Sequence, residues 1–62
     1  MDIQDKIELN KKIRKYEGSN GFLLSLQKTL KVGKFVERVE HDGKTVKLLT
    51  DKQYEAAKSS FD

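Results

Sequence analysis

The chain has no cysteine, no proline, no tryptophan and a single histidine. Without cysteine there is neither a disulfide framework nor a thiolate metal site, and one imidazole cannot assemble a structural zinc centre. No metal and no cofactor are therefore expected. The absence of proline leaves helices and strands free to run uninterrupted. No apolar run approaches the roughly 20 residues needed to cross a bilayer, and the amino-terminal residues lack the apolar core of a signal peptide. The expectation is a cytoplasmic protein without a membrane partner. A glycine-rich phosphate loop is also missing. Ser25, Ser59 and Ser60 have no partner base, and His41 sits beside Asp42 at a turn where no second positioned group accompanies it. The chain reads as noncatalytic, with no catalytic residue to name.

What is present is a high charge density on a small core. Sixty-two residues with 35% hydrophobic and 37% charged content allow one domain near the lower limit for an unstapled core. The stretch from Lys34 to Tyr54 organises it. Asp42-Gly43 lies between two runs rich in β-branched and apolar residues, the pattern of a hairpin with a type I′ turn. That turn sets Val39 opposite Val46, Glu37 opposite Leu48 and Val36 opposite Leu49. One face then carries Phe35, Val39, Val46 and Leu48, with Glu37 expected at an exposed rim. The other carries Arg38, Glu40, Thr45 and Lys47. Arg38 directly opposite Lys47 is the weak point of this register, to be relieved by Glu40. Thr50 and Gln53 form a capping box, with Leu49 and Tyr54 as a hydrophobic staple. Tyr54, Ala57 and Phe61 give the helix that follows an apolar stripe, expected to lie across the inner face of the hairpin.

Upstream, Asp2 caps a first helix whose basic residues gather toward its end, in keeping with the helix dipole. Ile3, Ile7, Ile13 and Tyr16 form its apolar face, interrupted by Asn10, with Leu9 toward the edge. Gly18 suits a C′ position, and Ser19 or Asn20 caps the next helix. That second helix is the most apolar segment. Phe22, Leu23, Leu26 and Leu30 share one face, Leu24 points elsewhere as though the helix were covered on two sides, and Gly33 ends it. The fold class is α+β, a small single domain in the order helix (2–16), helix (20–31), hairpin (34–49), helix (51–61), with a two-stranded antiparallel hairpin packed on helices. The expected core is Phe22, Leu26, Leu30, Phe35, Val39, Val46, Leu48, Tyr54, Ala57 and Phe61.

Net charge is +3, unevenly placed: residues 1–34 carry eight Lys or Arg against four Asp or Glu, and residues 35–62 carry five against six. A basic front half suits an acidic partner, DNA or RNA backbone included. The candidate nucleic-acid-binding residues are Lys11, Lys12, Arg14 and Lys15, extended by Lys28, Lys31 and Lys34. A solvated helix end explains the same lysines without any ligand. Phe22-x-x-Ser25-Leu26 followed by Leu49-Thr50-x-Lys52-Gln53 resembles a short pattern of small phage-encoded DNA-metabolism proteins, most closely the terminal module of phage recombination helicases of the UvsW kind. The resemblance spans residues 20–61, but the whole hairpin stands here where shorter versions have a brief basic turn. It implies a noncatalytic phage accessory module in DNA replication, recombination or repair, located in the host cytoplasm. Such a module binds nucleic acid or docks onto a helicase or another DNA-metabolism enzyme. The rival expectation is a small protein–protein interaction or host-regulating protein without nucleic-acid contact. It would use Ile3, Leu9 and Ile13 on the imperfect face of the first helix, or a hairpin edge.

Overall fold

The computed structural model describes residues 1–34 and 36–62, and the expectation that Phe35 joins the core falls outside the described residues. Three helices and one hairpin follow in the expected order: α1 (Ile3–Lys15), α2 (Gly21–Val32), β1 (Glu37–His41), β2 (Lys44–Leu48) and α3 (Asp51–Phe61). The sheet is a two-stranded antiparallel pair, so the domain is α+β.

Local chemistry sets each boundary. The Asp2 carboxylate accepts the Asp5 amide at 3.0 Å, and Asn20 Oδ1 accepts the amides of Phe22 at 2.9 Å and Leu23 at 3.3 Å, satisfying donors that the first helical turn leaves free. At the end of α2, Gly33 takes φ +78°, a left-handed conformation that strongly favours glycine. The hairpin turn has φ +53° at Asp42 and +75° at Gly43, the double positive φ of a type I′ turn. Glu37 stands opposite Leu48, Arg38 opposite Lys47 and Val39 opposite Val46. Thr50 and Gln53 complete the capping box, with Thr50 Oγ1 accepting the Gln53 amide at 3.2 Å and Gln53 Oε1 accepting the Thr50 amide at 2.9 Å.

Two connections differ from expectation. Gly18 is not the residue that closes α1: Tyr16 is the C-cap, and Gly18 does not have a positive φ. Its value lies in the missing side chain, because a Cβ there would collide with the Tyr16 phenol. The phenol oxygen in turn accepts the Asn20 amide at 2.8 Å. The Arg38 and Lys47 pair is relieved by α2 rather than by Glu40. Arg38 Nη2 donates to the Gly33 carbonyl at 3.1 Å, and Lys47 Nζ reaches the Leu30 carbonyl at 3.4 Å. The carbonyl end of a helix is partly negative, so it draws two like charges to one place.

The core is built from Leu9 and Ile13 of α1, Leu23, Leu26 and Leu30 of α2, Leu48 and Leu49, and Tyr54 and Ala57 of α3. Val36, Val39, Val46, Tyr16 and Phe61 pack half-buried at its edge. Phe22 does not belong to it: it lies beside the buried stripe and is 39% exposed. Leu24 is 40% exposed, so α2 is covered on one side only. The last helix packs on α1 and α2, and the hairpin meets the helical layer mainly through β2 against α1. That corrects the expected seat of α3 on the hairpin's inner face. The strand-to-helix corner at Thr50 directs α3 back to the helices.

Candidate functional site

Asn10, the interruption in the α1 stripe, is buried at 5% exposure and organises the ground beneath the site. Its Nδ2 donates to the Lys47 carbonyl at 2.8 Å, and its Oδ1 accepts the Tyr54 hydroxyl at 2.8 Å. The Tyr54 oxygen accepts the Leu49 amide at 2.9 Å. One chain of hydrogen bonds thus ties α1 to the outer edge of β2 and to the first turn of α3. Burial raises the Tyr54 phenol above its ordinary value of 10.0, opposed in part by the Leu49 amide, the Asn10 bond and the charges of Lys6 and Arg14.

Because Asn10 fixes β2 against α1, the cations of three elements converge. Arg14 of α1, Gln27 and Lys31 of α2, and Lys47 of β2 line one open cleft. Lys11 and Arg14, with Lys44, Thr45 and Lys47, line a second. Arg14 and Lys47 belong to both, so the two form a continuous groove. Arg38 flanks it: its guanidinium and the Lys47 ammonium both end within 3.4 Å of one point beside Gly33. No carboxylate lines either cleft. The ion pairs among the described residues lie elsewhere, Lys6 with Asp51 at 3.1 Å and His41 Nε2 with Asp42 at 3.5 Å. Lys11, Arg14, Lys31 and Lys44 therefore face solvent without an anionic partner among the described residues. Lys47 is steered by the α2 carbonyl end. Such an arrangement raises the local potential and favours a multiply charged anion.

The sequence-named cations divide. Lys11, Arg14 and Lys31 come together in the groove. Lys12 lies apart, in a depression it shares with Asp5, Glu8 and Asp62, a setting unsuited to phosphate. Lys28 and Lys34 border the outer side of α2, and Lys15 is exposed outside all these depressions. Two groove residues, Lys44 and Lys47, are missing from the sequence-based set because they fall in the half with slight negative charge. The signal for Lys47 was its place on the outward strand face beside Arg38. The alternative docking face is corrected outright, since Leu9 and Ile13 are 7% and 0% exposed and belong to the core. Of that trio only Ile3 remains half-exposed.

The fold and groove together define a small α+β domain that presents clustered cations on one side. Comparison with protein-family models, with curated proteins and with solved structures returns no match. Within the pattern Phe22-x-x-Ser25-Leu26 and Leu49-Thr50-x-Lys52-Gln53, Leu26 and Leu49 are core residues, and Thr50 and Gln53 are the capping box.

Proposed function

We infer that this domain is a noncatalytic accessory module that holds the sugar–phosphate backbone of a nucleic acid in the groove formed by Lys11, Arg14, Lys31, Lys44 and Lys47. The observation that carries the reading is the convergence of these five side chains from three elements on a groove with no carboxylate in its lining. Phosphates entering it displace condensed counterions, which supplies most of the binding free energy and ties affinity to salt. Among the described residues no aromatic side chain lines the groove, so the reading rests on phosphate contacts rather than on base stacking. The domain reads charge and spacing, and sequence preference is weak. The resemblance to modules of phage recombination helicases fits a role beside an enzyme of DNA replication, recombination or repair.

The test is a titration of labelled single- and double-stranded oligonucleotides at low and physiological salt, with backbone amide resonances followed in parallel. Affinity should fall steeply with salt, with a log–log slope of roughly −4.5 on duplex if all five cations engage. Amide shifts should cluster around Arg14, Lys31, Lys44 and Lys47. Replacing Lys44 and Lys47 with alanine should remove about two from that slope, while replacing Lys12 and Lys15 should leave it nearly unchanged. Salt-insensitive binding, or a spectrum that does not move, rules the reading out.

A further inference from the structure

The face of α2 turned away from the core carries a second surface, separate from the groove. At 3.6 residues per turn, Leu24, Ser25, Lys28, Thr29 and Val32 fall opposite the buried Leu23, Leu26 and Leu30. Leu24 is 40% exposed and Val32 53%. Ser25, Lys28, Thr29 and Val32, with Lys34, border an open depression on this side of the helix. Thr29 Oγ1 donates to the Ser25 carbonyl at 3.0 Å, which engages the hydroxyl inside the helix. From Gly18 to Val36 the chain holds no acidic residue and three lysines, Lys28, Lys31 and Lys34. The charged side chains of this stretch are thus all positive.

We propose that this face binds an extended acidic segment of a partner protein. Leu24 and Val32 are eight positions apart, about 12 Å along the helix axis. In an extended chain, residues i and i+4 project to the same side about 13 Å apart. Two apolar side chains at that spacing reach Leu24 and Val32, a carboxylate between them reaches Lys28, and one beyond the second reaches Lys34. A second copy of this chain is a poorer occupant, since a two-fold contact through this face brings like-charged lysines together. Nucleic acid is poorer too, because apolar contacts at both ends of the strip offer nothing to a phosphate backbone. Together with the groove, this face makes the domain a bridge between a nucleic acid and an acidic protein segment.

The test follows amide resonances of the full chain during titration with a synthetic peptide of aspartates and glutamates carrying two leucines four positions apart. Saturable shifts should center on Leu24, Lys28 and Val32. Replacing both peptide leucines with serine, or Leu24→Ser or Val32→Ser in the protein, should each weaken binding about tenfold. Both protein positions are exposed, so a dispersed spectrum and unchanged oligonucleotide affinity confirm that the variants fold. The proposal is overturned if the leucine-free peptide binds equally well, if shifts gather at Arg14, Lys31 and Lys47, or if no saturable shift occurs. Oligonucleotide binding is read separately, so failure here leaves the groove reading standing, and the reverse.

Discussion

A polar side chain in the middle of an apolar face is costly unless every hydrogen-bonding atom finds a partner. Asn10 does so, and the Tyr54 hydroxyl does so twice, as donor to Asn10 and as acceptor from Leu49. Removing that oxygen in Tyr54→Phe leaves the Leu49 amide and Asn10 Oδ1 without partners at a nearly water-free site. The expected cost is about 1–3 kcal/mol by urea denaturation; an unchanged midpoint would mean the network contributes nothing net. The variant also carries a pH signature. Burial raises the phenol above 10.0, so the unfolded chain releases this proton first. The stability gained from keeping Tyr54 protonated is complete below pH 10.0 and declines as pH rises through the raised native value. Tyr54→Phe lacks that share of the alkaline decline, so the two stability curves should draw together between pH 10.0 and the raised native value.

Among the elements, α1 and α2 are joined by a cap that no local pattern announces. Gln27 Nε2 sits 3.1 Å from the Ile13 carbonyl, 3.1 Å from that of Arg14 and 3.0 Å from that of Tyr16. The Ile13 carbonyl also accepts the Tyr16 amide at 3.2 Å, while the end of a helix leaves its later carbonyls without intrahelical donors. Gln27→Met keeps length and removes the donor. It should lower stability by about 1–2 kcal/mol and speed amide exchange in the last turn of α1. Exchange that stays slow there would show that water replaces the amide at no cost. The contrast with the other caps explains what the sequence discloses. Asp2, Asn20, Gly33 and the Thr50–Gln53 box act within a few residues, and the Asp42-Gly43 turn fixes the hairpin register, so all were legible. Gln27 acts across 11 to 14 positions. With Asn10 taken as an interruption, the apparent face of α1 kept Ile3 and Ile7 beside Ile13 and left Leu9 toward the edge, whereas Leu9, Asn10 and Ile13 are the buried residues. Three of the five groove cations were legible from charge composition, because Lys11, Arg14 and Lys31 belong to the basic front half. Lys44 and Lys47 join them only because β2 packs on α1.

For the whole molecule, small size makes the single core decisive. All five elements or their flanks contribute to one cluster or its edge, and a two-stranded hairpin is marginal without such support. Leu26 is 2% exposed at its center, whereas Leu24, two positions away, is 40% exposed on the outer face. Leu26→Ala should cost roughly 2–5 kcal/mol, comparable to the whole stability of so small a domain. Leu24→Ala, the same chemical change, should stay within about 0.5 kcal/mol. Thermal unfolding followed by circular dichroism checks the helices, and valine methyl resonances of Val39 and Val46 check the hairpin. If one core holds everything, both signals vanish together in Leu26→Ala and both persist in Leu24→Ala. Hairpin signals that outlast the helices would show instead that the strands stand alone, and the groove built between them and α1 would lose its fixed geometry.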